Sequence, residues 1–421
     1  MNLNESQKCF ARSKLVAPGG VHSPVRAFSA VGGSPIFFKQ GKGSKLTDED
    51  NNEYIDFCMS WGALSMGHAH ENVVSKIQEQ VVKGTHYGTP TRLAVELAEL
   101  AVQQLKPYEK IRFVNSGTEA VMTAVRLARG LSQKSKIVKI DGAYHGHLDS
   151  LLVSAGSGLV TQGESSSAGV TAGAVQDTLV IPFNNPEALE KVFAEHGQDI
   201  AAVIVEPILA NNGLFEFDVS YLQKLRKVCD ENCAFLIFDE VITGFRVHPQ
   251  GAMGLYGVQP DISTYGKILG GGMPMGAIAS YAKFLDGLAP TGKVYQAGTL
   301  SGNPVAMAAG LATLSSMIDE DYYGHVEQLG SYLDEKISAL KDKNFVYKRV
   351  GAIFWLCPGT KDYPEGPNKI SSHAAPAYAE IYHKLLRAGI YMSPSVFEVA
   401  FLTRAHTNSD IDQLVGALER L

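Results

Sequence analysis

Two apolar runs of strand length constrain the fold of this chain most strongly. Residues 201–206 read AAVIVE and residues 234–239 read AFLIFD. Neither run alternates with polar residues, so both are predicted to be strands buried on both faces, as in a parallel sheet covered by helices. Between them, a helix is predicted to begin after Asp218, its N-cap residue. The pattern predicts an α/β fold with a mostly parallel central sheet and helices on both faces.

Helices and strands alternate from about residue 91 to residue 312, and the pattern of polar and apolar residues then changes. In the first part we predict strands at 111–115, 136–140 and 151–153 and helices at 91–105, 116–131 and after Asn303-Pro304. In the second part we predict longer, more polar helices at 322–341, 375–388 and 409–421 and strands at 346–350 and 353–357. The expected domains are an N-terminal segment (1–60) that packs with the small domain, a large α/β domain (61–312) and a small C-terminal α+β domain (313–421).

Charge and composition disfavour several classes of protein. The 421 residues include 37 Lys and Arg against 43 Asp and Glu, a net charge of −6, and nucleic-acid binding would need a basic face. The five cysteines form no CxxC pair, so neither a disulfide framework nor a zinc site is expected. The N-terminus has no apolar signal core, and the longest weakly polar run, 270–282, is shorter than the roughly 20 residues of a membrane span. We expect a cytoplasmic enzyme without a metal, a nucleic-acid partner or a membrane partner.

Familiar motifs for other chemistries are incomplete. The stretch before Lys267 resembles the end of a P-loop, but Asp261 replaces its first glycine and Ile268 replaces the Ser or Thr that binds magnesium. The histidine pairs at 68 and 70 and at 145 and 147 come with no further ligand cluster. No GxSxG motif occurs, so a serine hydrolase of the α/β class is not indicated.

A lysine, a carboxylate and a helix N-terminus occur in three segments that suit one cofactor. Lys267 lies among glycines, and a desolvated neutral amine can attack a carbonyl. Asp239 ends a buried strand 28 residues earlier, where doubly wound sheets place functional groups. The turn 115–120, NSGTEA, joins a strand to a helix N-terminus that could bind a phosphate. These are the requirements of pyridoxal phosphate, whose ring Tyr144 could cover.

Each of these features alone also has a simpler explanation. The turn could be an ordinary capped helix, Asp239 a surface ion-pair partner, Lys267 a solvated lysine and Tyr144 a packed aromatic. Their order and joint presence favour the cofactor site. The 42 glycines of the chain fit this interpretation, because several of them lie in the segments concerned.

The blocks FDEVITGFR (Phe238–Arg246) and GK (266–267) resemble those of the class III, fold-type I pyridoxal-phosphate enzymes. Further blocks are similar to an aminomutase branch of that family: GGVHSPVRAF (19–28), RFVNSGTEA (112–120), YHGH (144–147), AGSG (155–158), YQAGTLSGNPVAMAAG (295–310) and SPSVFEVAF (393–401). The resemblance covers nearly the whole chain. Two stretches depart from it: GGGMPMGAIAS replaces the common GGGLPVGAYGG, and residues 359–373 match little.

The resemblance implies a role for each candidate site residue. Lys267 would be the Schiff-base lysine and proton shuttle, and Asp239 the partner of the pyridine nitrogen. The other cofactor residues would be Ser116, Gly117 and Thr118 at the phosphate, Tyr144 and Val241 on the two ring faces, Asn211 near the phenolic oxygen, His145 near the ring with no assigned role, and Gly298 and Thr299 from the second subunit of a homodimer. The substrate residues would be Ser23 and Arg26 at the carboxylate, with Trp61, Ser157 and Glu398 as further contacts.

The implied reaction moves an amino group within one molecule. It converts glutamate-1-semialdehyde to 5-aminolevulinate, a tetrapyrrole precursor, through 4,5-diaminovalerate, and it starts with the cofactor as pyridoxamine 5'-phosphate. Residues 154–173, rich in Gly and Ser, could form a mobile lid or an ordinary surface loop. The preceding enzyme, which reduces glutamyl-tRNA, could hand over the substrate. The alternatives are an ω- or β-amino acid aminotransferase with an external amino acceptor and a cofactor-binding scaffold without catalysis, which the intact Lys267 disfavours.

Overall fold

The computed structural model describes residues 1–154, 161–162, 164–340 and 344–421. The strands in this part of the chain are β1 Phe38–Lys42, β2 Lys45–Asp48, β3 Glu53–Asp56, β4 Lys110–Val114, β5 Lys136–Ile140, β6 Val153–Ser154, β7 Thr161–Gln162, β8 Glu164–Ser165, β9 Thr178–Ile181, β10 Ile200–Val205, β11 Ile208–Leu209, β12 Phe215–Glu216, β13 Phe235–Asp239, β14 Ile262–Tyr265, β15 Gly276–Ser280, β16 Phe345–Val350, β17 Ile353–Pro358, β18 Ile390–Tyr391 and β19 Ala400–Phe401.

The helices vary from single turns to five turns. They are α1 Asn4–Ser13, α2 Met59–Gly62, α3 Glu71–Val81, α4 Arg92–Gln104, α5 Gly117–Ser132, α6 Ala172–Val175, α7 Pro186–His196, α8 Val219–Glu231, α9 Gly251–Tyr256, α10 Ala282–Leu285, α11 Pro304–Asp319, α12 Tyr322–Ala339, α13 Ala374–Arg387 and α14 Asn408–Glu419. Short 3-10 turns occur at Pro18–Gly20, Pro24–Ala27, Asp149–Leu151, Lys267–Gly270 and Pro367–Lys369.

The chain divides into two compact units. The first contains residues 1–74, 316–365 and 369–421, and the second contains residues 75–315 and 366–368. No helix in the described part of the chain is long and apolar enough to cross a membrane. All five cysteines are free, and no group of three or more His, Cys, Asp or Glu residues among those described could hold a metal ion.

An eight-stranded sheet of order β4-β15-β14-β13-β10-β5-β9-β7 organises the second unit. Neighbouring strands from β14 through β9 are all parallel, whereas β15 and β7 run antiparallel to their neighbours. All six residues of β10 are buried, as expected for a strand covered on both faces. The predicted α/β fold with a mostly parallel central sheet is therefore confirmed. The sequence pattern did not identify β9, β14 and β15.

Helix α5 supplies much of the core of this unit. Its apolar residues recur at helical spacing, with Ala120, Ala124 and Leu127 completely buried. They pack against residues of the central strands, among them Ala202 and Ile237. Small residues at these positions let the helix approach the sheet closely, and this packing fixes the end of α5 that follows β4.

Two local predictions need correction. Residues 151–153 were expected to form a strand, but Leu151 ends a 3-10 turn and only Val153 lies in a strand. The chain turns here because the ammonium group of buried Lys139 binds the carbonyl oxygens of Leu151 and Val153, at 3.2 and 3.3 Å. Asp218 precedes α8 without capping it, since its carboxylate accepts a hydrogen bond from Asn184 at 2.8 Å instead.

The first unit has two small sheets. One has the order β1-β2-β3-β18, with β18 parallel to β3, and the other is the antiparallel sheet β16-β17-β19. Helix α13 packs on β17, and α12 packs on α14. The predicted helices and strands beyond residue 320 agree with these elements to within two residues at nearly every end. The β1 to β3 region corresponds to the strand-like sequence PIFFKQGKGSKLTDEDNNEYIDF.

Candidate cofactor and substrate sites

Asp239 is nearly buried at the carboxyl end of β13. Its Oδ1 atom accepts the backbone N–H of Val241 and the hydroxyl of Thr264, both at 3.2 Å. Its Oδ2 atom lies 2.8 Å from Nδ1 of His145, a distance at which a proton on Nδ1 is shared in a hydrogen bond with the carboxylate. Three of the roughly four acceptor positions of the carboxylate are thus used. One remains for a cationic group of a ligand.

The two ring nitrogens of His145 differ: Nδ1 binds this carboxylate, and Nε2 does not bind any described residue. Its side chain is buried, and its Nε2 atom has no hydrogen-bond partner among the described residues. Buried polar atoms are nearly always satisfied in folded proteins. The Nε2 atom therefore points to a group that the folded chain does not itself supply.

Glu206, directly after β10, is a site residue that the sequence reasoning missed. Its Oε1 atom accepts the backbone N–H of Tyr144 at 2.8 Å, and its Oε2 atom accepts the N–H of Ala210 at 3.3 Å and the side-chain amide of Asn211 at 2.7 Å. Burial raises the pKa of this carboxyl, and the adjacent His145 opposes the rise. The available signal was an acidic residue at the end of a buried strand, the same signal that identified Asp239.

Tyr144 and Asn211, both predicted to contact the cofactor, are thus joined through one carboxylate. The Tyr144 side chain is 49% exposed, which leaves the ring accessible to a ligand. The Asn211 side chain is half-buried. Because Glu206 holds the backbone of one and the amide of the other, the relative position of these two residues depends on it.

The turn between β4 and α5 is a candidate anion cradle. The hydroxyl oxygen of Ser116 accepts the backbone N–H of Glu119 at 3.2 Å, and the Glu119 carboxylate accepts the N–H of Asn115 at 2.9 Å. These bonds fix the turn. The helix begins at Gly117, so the N–H groups of Gly117 and Thr118 have no acceptor within the helix. Such groups, with the positive end of the helix dipole, bind phosphates in many proteins.

The YHGH segment packs directly on this cradle. An added Cβ at Gly146, which has φ of 73°, would lie only 2.4 Å from Oγ1 of Thr118. The same Thr118 hydroxyl lies 3.2 Å from Nδ1 of His147 and accepts the backbone N–H of His147 at 3.3 Å. His147 is therefore a second site residue to which the sequence reasoning gave no role.

Val241 is the point at which the three predicted cofactor segments converge. An added Cβ at Gly117, in the phosphate turn, would lie 3.1 Å from one Val241 methyl group, and one at Gly266 would lie 3.4 Å from the other. Val241 also donates its N–H to Asp239. The phosphate turn, the strand-end carboxylate and the lysine loop are thus neighbours, as the sequence predicted.

Lys267 has an unusual backbone conformation. It is half-buried, begins a 3-10 turn directly after Gly266, and has φ of 47°. A residue with a long side chain rarely adopts the left-handed region, and such strain clusters at functional sites. The turn aims the residue in a direction that an ordinary helix start would not give.

Gly298 and Thr299 lie in an exposed loop. An added Cβ at Gly298 would be 3.1 Å from Nδ2 of Asn115 in the same chain, so this loop adjoins the phosphate turn of its own subunit. Their contribution to the site of a second subunit stays a prediction.

Ser23 and Arg26, predicted to bind the substrate carboxylate, lie in the first unit at one short turn. Ser23 precedes the turn Pro24–Ala27, which contains the exposed Arg26. Buried Phe28, with φ of 60°, ends the turn and packs edge-on against Tyr382 with ring centroids 5.5 Å apart. The turn is therefore anchored while the guanidinium group stays accessible.

Trp61 and Glu398 are brought close to one another in the same unit. The helical turn α2, which contains Trp61, contacts β19, which begins two residues after Glu398. Burial raises the pKa of the neighbouring Cys58 thiol to about 12, and the charge of Glu398 acts in the same direction. The charge of Arg26 opposes the burial that raises the pKa of Tyr391 in the same unit. Ser157 and part of the predicted lid (155–160 and 163) lie outside the described residues.

The residues of the second unit fit pyridoxal phosphate. The phosphate turn offers N–H donors, Asp239 has a lone pair left for a protonated ring nitrogen, and His145 has a buried Nε2 atom without a partner. Half-buried Val241 and the 49% exposed Tyr144 offer apolar surface for an aromatic ring.

Comparisons with known proteins agree with this fit. Residues 28–420 match the family model described as Aminotransferase class-III. The chain is 45% identical, over 414 residues, to a protein of Acetivibrio thermocellus named glutamate-1-semialdehyde 2,1-aminomutase. The match covers 98% of this chain and 96% of the relative. A solved structure described as a transaminase with PLP bound has a TM-score of 0.89 at 33% identity, with 100% of this chain and 97% of that one covered. An omega-transaminase from Sphaerobacter thermophilus also has a TM-score of 0.89, at 28% identity, covering 99% and 96% of the two chains.

Proposed function

The chain belongs to the class-III aminotransferase family, and from this membership we propose that it is a pyridoxal-phosphate-dependent aminomutase that converts glutamate-1-semialdehyde to 5-aminolevulinate. The observation that carries the proposal is the 45% identity, over 98% of the chain, to a relative named for this reaction. The product is a tetrapyrrole precursor, so the enzyme would serve porphyrin biosynthesis. It would begin each cycle with the cofactor in its pyridoxamine 5'-phosphate form.

When bound, pyridoxal phosphate supplies an electron sink for negative charge at the carbon that carries the amine. Asp239 would sustain that sink by pairing with the ring nitrogen, and His145 would keep Asp239 oriented through its Nδ1 proton. The remaining contacts would come from Ser116, Gly117 and Thr118 at the phosphate, Val241 and Tyr144 at the ring faces, and Asn211 at the phenolic oxygen.

Lys267 would hold and move the proton in both halves of the reaction. Its turn conformation lets a long, flexible side chain swing while the backbone stays fixed between Gly266 and the buried Ile268. Deprotonated, the amine would accept a proton from one of the two carbons that share the transferred nitrogen, and it would return that proton to the other.

Arg26 would bind the substrate carboxylate with two parallel N–H donors, the geometry that favours arginine over lysine. Ser23, at the start of the same turn, would add a hydroxyl donor. Trp61 and Glu398, which lie near the same Cys58, would line the pocket, and Ser157 would add a further contact. Binding the substrate at its far end orients the aldehyde and amine carbons for transfer.

We infer that the enzyme is a cytoplasmic homodimer. Tyr295 is 71% and Leu300 53% exposed on either side of the loop that contains Gly298 and Thr299, and clustered exposed apolar residues mark association surfaces. Asn303 donates to the carbonyl of Thr85 at 3.0 Å, which joins this loop to a second exposed segment. The five free cysteines suit a reducing compartment. Light scattering on the purified protein tests the dimer.

The deciding experiment supplies the enzyme with glutamate-1-semialdehyde alone. An aminomutase forms 5-aminolevulinate without any added keto acid or amino donor, because the substrate serves as both. A rate that depends entirely on an added amino acceptor would refute the proposal. It would support instead an ω-amino acid aminotransferase, which the structural similarity to an omega-transaminase keeps as the second candidate.

A further inference from the structure

Four consecutive residues of the first unit adopt a left-handed turn. The φ angles of Met59, Ser60, Trp61 and Gly62 are 45°, 55°, 59° and 81°. The turn is closed by hydrogen bonds from the N–H of Gly62 to the carbonyl of Cys58 at 3.1 Å and from the N–H of Leu64 to that of Met59 at 3.3 Å. Glycine alone adopts this conformation freely, and residues with a Cβ visit it singly rather than in succession.

A buried carboxylate holds the start of this turn. The Oδ1 atom of Asp56 accepts the backbone N–H of Cys58 at 2.8 Å and that of Met59 at 3.0 Å. Asp56 is 1% exposed and is the last residue of β3, so it has a rigid base. The two bonds satisfy N–H groups that the turn itself leaves unpaired, and they fix the direction in which the chain enters it.

His68 holds the other oxygen of the same carboxylate. Its Nε2 atom lies 2.7 Å from Oδ2 of Asp56. The backbone of His68 exchanges two hydrogen bonds of 2.8 Å with Gly43. Its ring lies so close to Gly41 that an added Cβ there would approach within 2.7 Å. The imidazole is therefore fixed by the β1-β2 hairpin and fixes Asp56 in turn.

The turn separates buried from accessible side chains. Met59 is completely buried, Ser60 is exposed and Trp61 is half-buried. In a right-handed turn the residue after Met59 would project elsewhere, so the left-handed path decides where the indole of Trp61 lies.

We propose that Asp56 and His68 are positioning residues that hold the turn 59–62 left-handed and thereby place the indole of Trp61 for substrate binding. The last step rests on the proposed function, in which Trp61 lines the substrate pocket. The first step, control of the Trp61 position, does not depend on it.

Tryptophan fluorescence and steady-state kinetics test the two steps separately. The chain has two tryptophans, and Trp355 is 1% exposed, so the W355F holoenzyme isolates the Trp61 emission. In that background we compare D56A, which removes both acceptors, with D56N, which keeps one oxygen for the N–H groups. The matched control is D48A, because Asp48 is a buried carboxylate of the same unit that accepts the N–H of Asn52 at 2.8 Å and the hydroxyl of Tyr54 at 2.9 Å, away from the turn.

The expected result is that D56A shifts the Trp61 emission maximum, increases its quenching by acrylamide and raises KM for glutamate-1-semialdehyde about tenfold with little change in kcat. D56N should restore most of all three values, and D48A should lower the unfolding temperature without changing them. Unchanged Trp61 emission and quenching in D56A, or equal changes in D48A, would overturn the proposal.

Two further arms keep the test decisive. If D56A does not fold, H68L, which removes only the partner of Oδ2, should shift the Trp61 emission in the same direction, and unchanged emission would overturn the proposal. If the wild-type enzyme forms no 5-aminolevulinate, the proposed function fails while the fluorescence comparison still decides whether Asp56 controls the turn. Altered fluorescence with an unchanged KM would overturn the substrate-positioning step.

Discussion

Replacing Glu206 with glutamine tests whether this carboxylate positions the cofactor residues. The Oε2 atom accepts from Ala210 and from the amide of Asn211, and a glutamine oxygen at that position can keep both bonds. The new amide nitrogen would then face the N–H of Tyr144, which donates to Oε1 at 2.8 Å in the native protein. Two donors would confront each other, so E206Q loses the bond that holds the Tyr144 backbone.

The size of the effect follows from that single bond. A hydrogen bond to a charged acceptor contributes about 1.5–3 kcal/mol. Part of this loss is offset, because burial penalises the native carboxylate and raises its pKa. We therefore expect about 1.4 kcal/mol of lost cofactor binding, which corresponds to roughly a tenfold higher Kd for pyridoxal phosphate.

The assay is a titration of the apoenzyme with pyridoxal phosphate, followed by visible absorbance. The matched control is E240Q, because Glu240 is a buried carboxylate of the same unit that accepts only from Thr243, Ala252 and Met253 among the hydrogen bonds described, none of which is a cofactor residue. E240Q should change stability and leave the Kd within about twofold of wild type. An E206Q enzyme with native Kd and a lowered unfolding temperature would refute the reasoning, since Glu206 would then serve the fold alone.

Three further predictions follow from the site. R26A should raise KM about a hundredfold, because the substrate carboxylate loses its charged partner. R12A, at an exposed arginine of α1, should leave KM unchanged, and equal KM values for R26A and R12A would show that another residue binds the carboxylate. G146A should weaken cofactor binding, because the added Cβ would lie 2.4 Å from Oγ1 of Thr118 at a φ of 73°. The control in the same titration is G257A, at a φ of 64° with nothing within 4 Å, and matching Kd values for the two variants would contradict the packing. Burial raises the pKa of Glu240 from 4.5 to about 7, so the carboxyl binds more protons in the folded than in the unfolded chain between these pH values. The free energy of unfolding should therefore fall by roughly 3 kcal/mol as the pH rises through that interval. Urea unfolding at pH 5 and pH 8 should show the wild type losing stability relative to E240Q, and a stability difference that does not change with pH would refute this.

The central sheet could be predicted because its strands carry an unambiguous pattern. The uninterrupted apolar run of β10 requires burial on both faces, and Asp239 and the NSGTEA turn stand where parallel sheets place functional groups. Strand β14 was missed because its sequence ISTY mixes polar and apolar residues, although all four are buried. Their hydroxyl groups are used inside the fold, for example by Thr264 on Asp239.

The parts of the site that sequence could not predict depend on contacts between distant segments. Glu206 reaches Tyr144, 62 residues away, through a bond that exists only once β5 and β10 are paired. The left-handed turn at 59–62 contains one glycine and three residues that ordinarily avoid positive φ. Asp56 binds the start of this turn from two and three residues away, but its carboxylate is itself held by His68, and no pattern within residues 59–62 encodes the conformation.

The number of product molecules formed per active site tests the central claim most directly. Purified enzyme in the pyridoxamine 5'-phosphate form is mixed with excess glutamate-1-semialdehyde and no other amino donor or acceptor, and 5-aminolevulinate is counted against bound cofactor. Intramolecular transfer predicts many equivalents of 5-aminolevulinate per site. The K267A variant should not form 5-aminolevulinate at a rate comparable to that of the wild type. A yield that stops at one equivalent per site, and resumes only when a keto acid or amino donor is added, would contradict the account.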